Sequence, residues 1–394
     1  MSAGQGAGHA RTARSLAVMV GAALVMGASG QAGTATMQPC PGEAGEGVSM
    51  RDLGRRGPHL LLDQNFPDPF LARFGRTYHA YATGVRVEDT PLNVQLVRSS
   101  TLRTWSSPVE VLPHANLPAW VDREHAQVWA PEVMAVAGRY VLYFNARHDV
   151  LTRTERPPEG PRVLQRHCLG AAVADRPEGP FVGIDEPLVC AELGDGAIDA
   201  SPFRDGDNLY LYYKDDGNCC GRGSAIFVQG LSPDGLAAVG PRHQLVASND
   251  SPGPEDDWEW LVVEAPTMVR RGNGYTLFYT GNFFGNKNYS VAYLTCASPR
   301  GPCRDPGENP ILWSHAETPL VGPGHQSVLE QDGRTYLFFH GWNRDPEARE
   351  RPEVHKRCLY VSRVDWLPTP GGGERPVIAG GEPAVPPPPV TPEP

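Results

Sequence analysis

Three carboxylates, Asp68, Asp199 and Glu264, each open a short apolar run through a proline-bearing step. The stretches are Asn65-Phe66-Pro67-Asp68-Pro69-Phe70, Ile198-Asp199-Ala200-Ser201-Pro202 and Val263-Glu264-Ala265-Pro266. A proline within three residues fixes the local backbone and limits the wandering of the acid beside it. Taken singly, an aspartate before proline is an ordinary turn residue. Three such acids converging on one place are costly to hold unless chemistry needs them. They raise the pKa of at least one member, which keeps a general acid protonated near neutral pH. A proton donor and a carboxylate that activates water are the minimum apparatus for glycoside hydrolysis. What remains is the scaffold that would bring acids so distant in sequence together.

A repeated unit supplies it. A glycine turn leads into an aromatic strand at Gly75 to Tyr81, Gly138 to Tyr143, Gly206 to Tyr212, Gly274 to Tyr279 and Gly333 to Phe339. The leading residues Tyr78, Tyr140, Tyr210, Tyr275 and Tyr336 lie 61 to 70 residues apart. Ahead of each stands a short strand entered through a polar pair, and after each comes a third strand, such as Val94 to Val97 or Leu359 to Ser362. Apolar residues never recur at helical spacing through a sustained window. Instead 44 glycines and 40 prolines interrupt short runs, as many short strands require. A β-sandwich would not carry five copies of one pattern, and a β-helix repeats at a much shorter period. The expectation is an all-β, five-bladed β-propeller over residues 60–366. The innermost strand of each blade then lines the central channel, and the acidic entries meet in register at its mouth.

The flanks read differently. Arg11 and Arg14 precede the apolar run Leu16 to Met26 and small residues up to Ala35, the layout of a secretory signal peptide over residues 1–35. Gly27, Ser29 and Gly30 interrupt that run too soon for it to span a bilayer comfortably, so no membrane partner is expected. Residues 36–59 form a polar leader, and residues 367–394 end in a proline-rich stretch expected to be an extended, disordered spacer. All eight cysteines follow the expected cleavage site, and an even count in an oxidising compartment suggests disulfides. Cys296 and Cys303 flank a turn, and Cys168 and Cys190 bracket a strand-turn-strand segment. Cys219 and Cys220 either join each other or reach Cys40 and Cys358. The net charge of -10 argues against a nucleic-acid partner held through phosphates.

Read in order, the motifs at Asp68, Trp129-Ala130-Pro131-Glu132, Asp199, Glu264 and Gly322-Pro323-Gly324-His325 resemble the successive blade motifs of glycoside hydrolase family 43. The resemblance covers about residues 60 to 366 and implies a five-bladed propeller that inverts anomeric configuration. Carried over by position, it implies that Asp68 is the general base, Glu264 the general acid, and Asp199 the residue that orients the acid and tunes its pKa. Ala200 stands where many members have proline. Glu132 matches an acid without a catalytic role, and Glu259 is assigned to the loop before Glu264. His325 matches a histidine facing the axis, where several members hold calcium or water. It is read either as a hydrogen-bonded interior residue or as the ligand of a structural calcium ion; no cofactor is otherwise required.

Asn65, Phe66 and Gln326 lie close enough in sequence to the channel mouth to touch substrate. Trp129 is read either as a sugar platform or as an inter-blade core residue, and Asp215 to Cys220 either as a pocket rim or as a turn. The wording of the motifs resembles the α-L-arabinofuranosidase and arabinan-degrading branch. The expectation is a secreted, monomeric hydrolase of α-L-arabinofuranosyl linkages in arabinan or arabinoxylan. Its partners would be plant cell-wall polysaccharide or arabino-oligosaccharides. A β-xylosidase is the alternative within the class. A non-catalytic glycan-binding propeller is the alternative outside it, and the three acids speak against that.

Overall fold

The computed structural model describes residues 39–41, 57–87, 90–155, 160, 162–190, 195–248, 258–314, 320–346 and 355–379. The expected signal peptide, most of the leader and the end of the proline-rich tail lie outside the described residues. Five antiparallel sheets make five blades, numbered here in chain order. Blade 1 runs Phe70–Phe74, Thr77–Thr83, Val94–Ser99 and Val109–Glu110 from its inner strand outward. Blade 2 runs Trp129–Val136, Arg139–Glu155, Arg162–Ala174 and Val182–Gly183. Blade 3 is Ala197–Asp205, Asn208–Asp215, Ala225–Leu231 and Ala238–Ala247, and blade 4 is Val263–Arg271, Gly274–Gly281, Ser290–Cys296 and Cys303–Arg304. The expected five-bladed propeller is the observed fold.

Blade 5 closes the ring. Its strands Val321–Gln331, Arg334–Trp342 and Arg357–Pro368 are completed from both ends of the chain. His59–Leu62 pairs with the first half of Arg357–Pro368, and Glu374–Ile378 pairs with its second half. The propeller boundary read from the sequence therefore stops short: residues up to Ile378 belong to blade 5. The last strand, Glu374-Arg-Pro-Val-Ile378, carries neither the glycine turn nor the aromatic pair that marked the repeats. The disulfide Cys40–Cys358 pins the leader to the same blade. The other bridges are Cys168–Cys190, Cys219–Cys220 and Cys296–Cys303, so the adjacent cysteines join each other.

The aromatic repeat has a packing cause. Successive residues of a strand point to opposite faces, and in a propeller both faces of a blade are covered by neighbours. Tyr212 packs into the cluster between blades 3 and 4 with Leu277 and Tyr279, whereas Tyr213 packs between blades 2 and 3 with Tyr143 and Leu169. Phe338 and Phe339 divide likewise between the 5–1 and 4–5 interfaces. Five apolar clusters thus sit one at each junction. Tyr81, Tyr143 and Tyr212 share one repeat position, and each hydroxyl donates to a loop carbonyl of the next blade, Pro177, Gly235 and Pro299 respectively. A buried tyrosine needs such a partner, and the equivalent Phe278 and Phe338 need none.

Candidate active site

Every inner strand enters the ring through one residue in the left-handed region: Asp68 (φ 54°), Ala130 (47°), Asp199 (60°), Ala265 (51°) and His325 (51°). In blades 2 to 5 the pairing register slips at this point, between Trp129 and Glu132, Ile198 and Ser201, Glu264 and Thr267, and Gly324 and Ser327. Such a bulge re-aims a side chain, and left-handed geometry costs a non-glycine residue roughly 1–2 kcal/mol. The bulge also corrects the sequence reading of the acids. Asp68 and Asp199 occupy the left-handed position itself. Glu264 stands one residue earlier, in register with Trp129 and Ile198 rather than with the aspartates.

The bulges are held by their neighbours. The second strand of each blade ends its aromatic run on a polar residue: Thr83, Asn145, Lys214, Thr280 and His340. At four junctions this residue accepts the left-handed N–H of the next blade. Ala130 donates to Thr83 Oγ1 (2.9 Å), Asp199 to Asn145 Oδ1 (3.3 Å), His325 to Thr280 Oγ1 (3.0 Å) and Asp68 to His340 Nδ1 (3.1 Å). At the fifth junction the residue is Lys214, which has donors and no acceptor. There the Ala265 N–H donates to Asp199 Oδ2 at 2.9 Å instead.

These positions border a cavity of about 290 Å³ lined by Asp68, Asp199, Glu264, Trp129, His325 and Arg357, among others. On one side, Asp68 is gripped by cations and donors. Arg357 Nη1 lies 2.8 Å from its Oδ1, Thr83 Oγ1 donates to its Oδ2 at 2.6 Å, and His325 Nδ1 is 3.5 Å from Oδ1. Burial alone would raise the Asp68 pKa, but Arg357, then His325, with the Thr83 hydroxyl, outweigh it and hold the carboxyl well below the usual range. His340 is 3.6 Å from the same oxygen, yet burial and Arg357 push its own pKa well down. It is therefore a neutral acceptor of the Asp68 N–H, and its charge plays no part. Arg357 is itself stacked over Phe284 at 5.1 Å and Trp342 at 5.6 Å.

The other side has the opposite character. Asp199 is buried, and that burial together with the charge of Glu264 raises its pKa to about 6 against the pull of His325, Lys214 and the Ala265 N–H. Glu264 accepts from Lys214 Nζ at 2.8 Å and from the Tyr289 hydroxyl at 2.6 Å. Lys214 is fully buried. Burial opposes its charge, but Glu264, Asp216 and Asp199 more than compensate and raise its pKa. Gly324 gives Tyr289 its room, since a Cβ there would collide with the tyrosine ring.

Below about pH 6 the site can thus keep Asp68 ionised while Asp199 holds a proton across a single cavity. A sequence profile of glycosyl hydrolases family 43 matches residues 60–368. The chain belongs to glycosyl hydrolase family 43. Xylosidase/arabinosidase 43A of Humicola insolens is 29% identical over 69% of this chain and 82% of its own length. β-D-Galactofuranosidase xynD of Aspergillus niger is 26% identical over 77% and 82%. An extracellular exo-α-(1→5)-L-arabinofuranosidase of Streptomyces chartreusis is 25% identical over 69% and 79%. The crystal structure of a thermostable family-43 glycoside hydrolase superposes with a TM-score of 0.63 at 24% identity, covering 83% of this chain and 97% of that one. The protein is a glycoside hydrolase, and its family acts on carbohydrate.

Within this family 43 domain the geometry sorts the remaining expected residues. Trp129 lines the cavity while its indole stacks on His167 at 4.0 Å, so it is wall and packing residue at once. Phe66 does not reach the site: it is completely buried in the cluster between blades 5 and 1. Gln326 is also buried, accepting from Thr280 Oγ1 and donating to the Ala265 carbonyl. Asn65 braces the Arg357 backbone, its Oδ1 accepting the Arg357 N–H at 3.1 Å, and it is not among the residues lining the cavity. Nearness in sequence misplaced these three: Phe66 and Gln326 turn into the core beside a left-handed residue, and Asn65 turns to the Arg357 backbone. Asp216 and Asn218 do line the cavity, so the Asp215 to Cys220 run contributes to the rim.

Glu259 lies in the loop before blade 4 and accepts the Tyr279 hydroxyl, and Glu132, half-buried near Asp199, accepts from Ser201 Oγ at 3.1 Å. Around His325 the side chains supply an imidazole and a carboxylate already engaged by Arg357. A calcium ion there would have to take most of its six to eight oxygens from water. Among the described residues the only grouping of three potential ligands is Cys40, Asp63 and Cys358, whose sulfurs are bonded to each other. Sequence reasoning missed Lys214, Arg357, His340 and Tyr289. The first and third stood in plain view as the polar residues ending the second-strand aromatic runs.

Proposed function

We propose that this family 43 enzyme is an exported, inverting glycosidase that releases terminal α-L-arabinofuranosyl units from arabinan or arabinoxylan. The carrying observation is the opposed electrostatics of the two sides of one cavity. Asp68 stays ionised and serves as general base; Glu264 is the general acid; Asp199 orients it and shares its proton. Asp68 comes from blade 1 and Glu264 from blade 4, which are not neighbours in the ring, whereas Asp199 comes from blade 3 beside Glu264. That spacing suits an inverting pair, which must leave room for water between base and substrate. Asp68 takes a proton from this water as the oxygen attacks the anomeric carbon. The departing oxygen leaves from the opposite face and takes the proton held by Glu264.

A cavity of about 290 Å³ with buried axial side chains at its base suits one terminal sugar and exo action. Export is supported by four disulfides and by the extracellular name of the Streptomyces relative. The Humicola name keeps β-xylosidase as the second reading. A panel of 4-nitrophenyl pentosides, debranched arabinan and xylan, with product sizing and proton NMR of the first anomer, tests the whole reading. Arabinose of inverted configuration is expected. Xylose alone would establish the second reading, and retained configuration would remove Asp68 from the base role.

A further inference from the structure

The axial ring contains one exception, and it lies beside the acid. Thr83, Asn145, Thr280 and His340 all accept the N–H of the next blade's bulge. Lys214 holds the same place in blade 3, forming with Ile226 the last pair of the ladder to the third strand, and gives up that task. Two consequences follow at once. The Ala265 N–H is handed to Asp199, which fixes one oxygen of that carboxylate against blade 4. A buried ammonium is placed 2.8 Å from Glu264 Oε2, opposite the Tyr289 hydroxyl on Oε1. A neutral cap, as in the other four blades, would hold the bulge equally well without the cost of burying a charge. The fold therefore does not ask for a lysine at this position.

We propose that Lys214 is a positioning residue of the acid side, clamping the Glu264 carboxyl and setting how readily the Asp199–Glu264 pair gives up its proton. The proposal rests on reading Glu264 as the general acid. The groups that face the pair are Glu132 from blade 2, Lys214 and Asp216 from blade 3, Tyr289 from blade 4 and His325 from blade 5. Lys214 is the only buried ammonium among them, and it bonds the acid directly. Removing a full charge at this range moves a carboxyl pKa by about 1–3 pH units.

The test compares wild type, Lys214→Met and Lys214→Gln on aryl arabinofuranosides with a good and a poor leaving group. Lys214→Gln restores an acceptor of the kind found in the other blades and carries the test if the methionine variant does not fold. The alkaline limb of kcat/KM is expected to rise by about 1–3 pH units. At a pH below both alkaline limbs, where the acid is protonated in every protein, loss of the clamp is expected to cost at least roughly tenfold on the poor leaving group and little on the good one, since only the former needs the proton. A folded neutral variant with an unmoved limb, or with equal losses on both substrates, would overturn the proposal. So would failure of both variants to fold, which would make Lys214 a core cation and nothing more. Glu264→Gln on the same two substrates separates this from the underlying reading. If that variant ignores the leaving group, Glu264 is not the acid; if it discriminates while the Lys214 limb stays put, only the lysine proposal fails.

Discussion

Replacing Asp199 by Asn should stabilise the fold while removing activity, and the gain should depend on pH in a defined way. The wild-type carboxyl has an ordinary pKa of 3.8 and reaches about 6 in the folded chain. Between these values the unfolded chain has released the proton while the folded chain still binds it, so stability falls as pH rises through that window. Above pH 6 the full penalty is present. At about 1.4 kcal/mol per pH unit of displacement, it amounts to about 3 kcal/mol. Asparagine is neutral throughout, is nearly the same size, and its side-chain oxygen still accepts the Ala265 N–H. Asp199→Asn should thus melt above wild type at pH 8, by about 6–12 °C at roughly 2–4 °C per kcal/mol for a large domain. At pH 4 the two curves should converge, because wild-type Asp199 is then protonated as well. Calorimetric melting of both proteins from pH 4 to 8 is the assay. A variant that is less stable at pH 8, or a difference that does not change with pH, would refute the argument that Asp199 is a desolvated carboxyl held beside another acid.

Other outcomes follow from the same geometry. Glu264→Gln and Asp68→Asn should each lower kcat by roughly 10²–10⁴ with unchanged circular dichroism. Arg357→Met removes the main cation that depresses Asp68, so the acidic limb of the pH–rate profile should move up by about 1–3 pH units, with a higher KM because Arg357 also lines the cavity. Gly324→Ala drives a methyl into the Tyr289 ring and should lower both Tm and kcat, Tyr289→Phe lowering kcat alone. Because the donors at His325 do not form an oxygen cage, a chelator should leave turnover unchanged, measured after exhaustive dialysis against EDTA.

The propeller was legible because its cause is local and repeated. An aromatic pair such as Tyr212-Tyr213 declares a strand buried on both faces, and five glycine turns at similar spacing declare five of them. The chain ends were less legible. Glu374–Ile378 adds to blade 5 by backbone pairing and by burying Ile378 between blades 4 and 5, a contribution too short to mark a strand in the sequence. At the site, Asp68, Asp199, Glu264, Trp129 and His325 were all found by motif, and all line one cavity. Phe66 and Gln326 were misplaced because a single left-handed residue reverses which neighbours face the axis, and no residue type announces that conformation when the position holds Asp or Ala rather than Gly. Arg357 lies 289 residues from the carboxylate it holds, and only ring closure brings the two together.

The bulge ring also shows how a nearly symmetric fold makes an asymmetric site. Five blades present the same two axial choices, the left-handed residue and the polar residue that ends the neighbouring second strand. Alanine at two left-handed positions adds no charge, and one of them, Ala130, lines the cavity. Aspartate or histidine at the other three supplies charge. At the second position, a neutral His340 beside Asp68 and a charged Lys214 beside Glu264 set opposite conditions for the two carboxylates. Each acid is therefore governed by a residue on an adjoining blade rather than by its own strand. On the proposed roles, the contrast between base and acid is set across blade junctions, so a swap of Thr280 should disturb packing more than chemistry, whereas a change at His340, Lys214 or Thr83, whose hydroxyl donates to Asp68, should do the reverse.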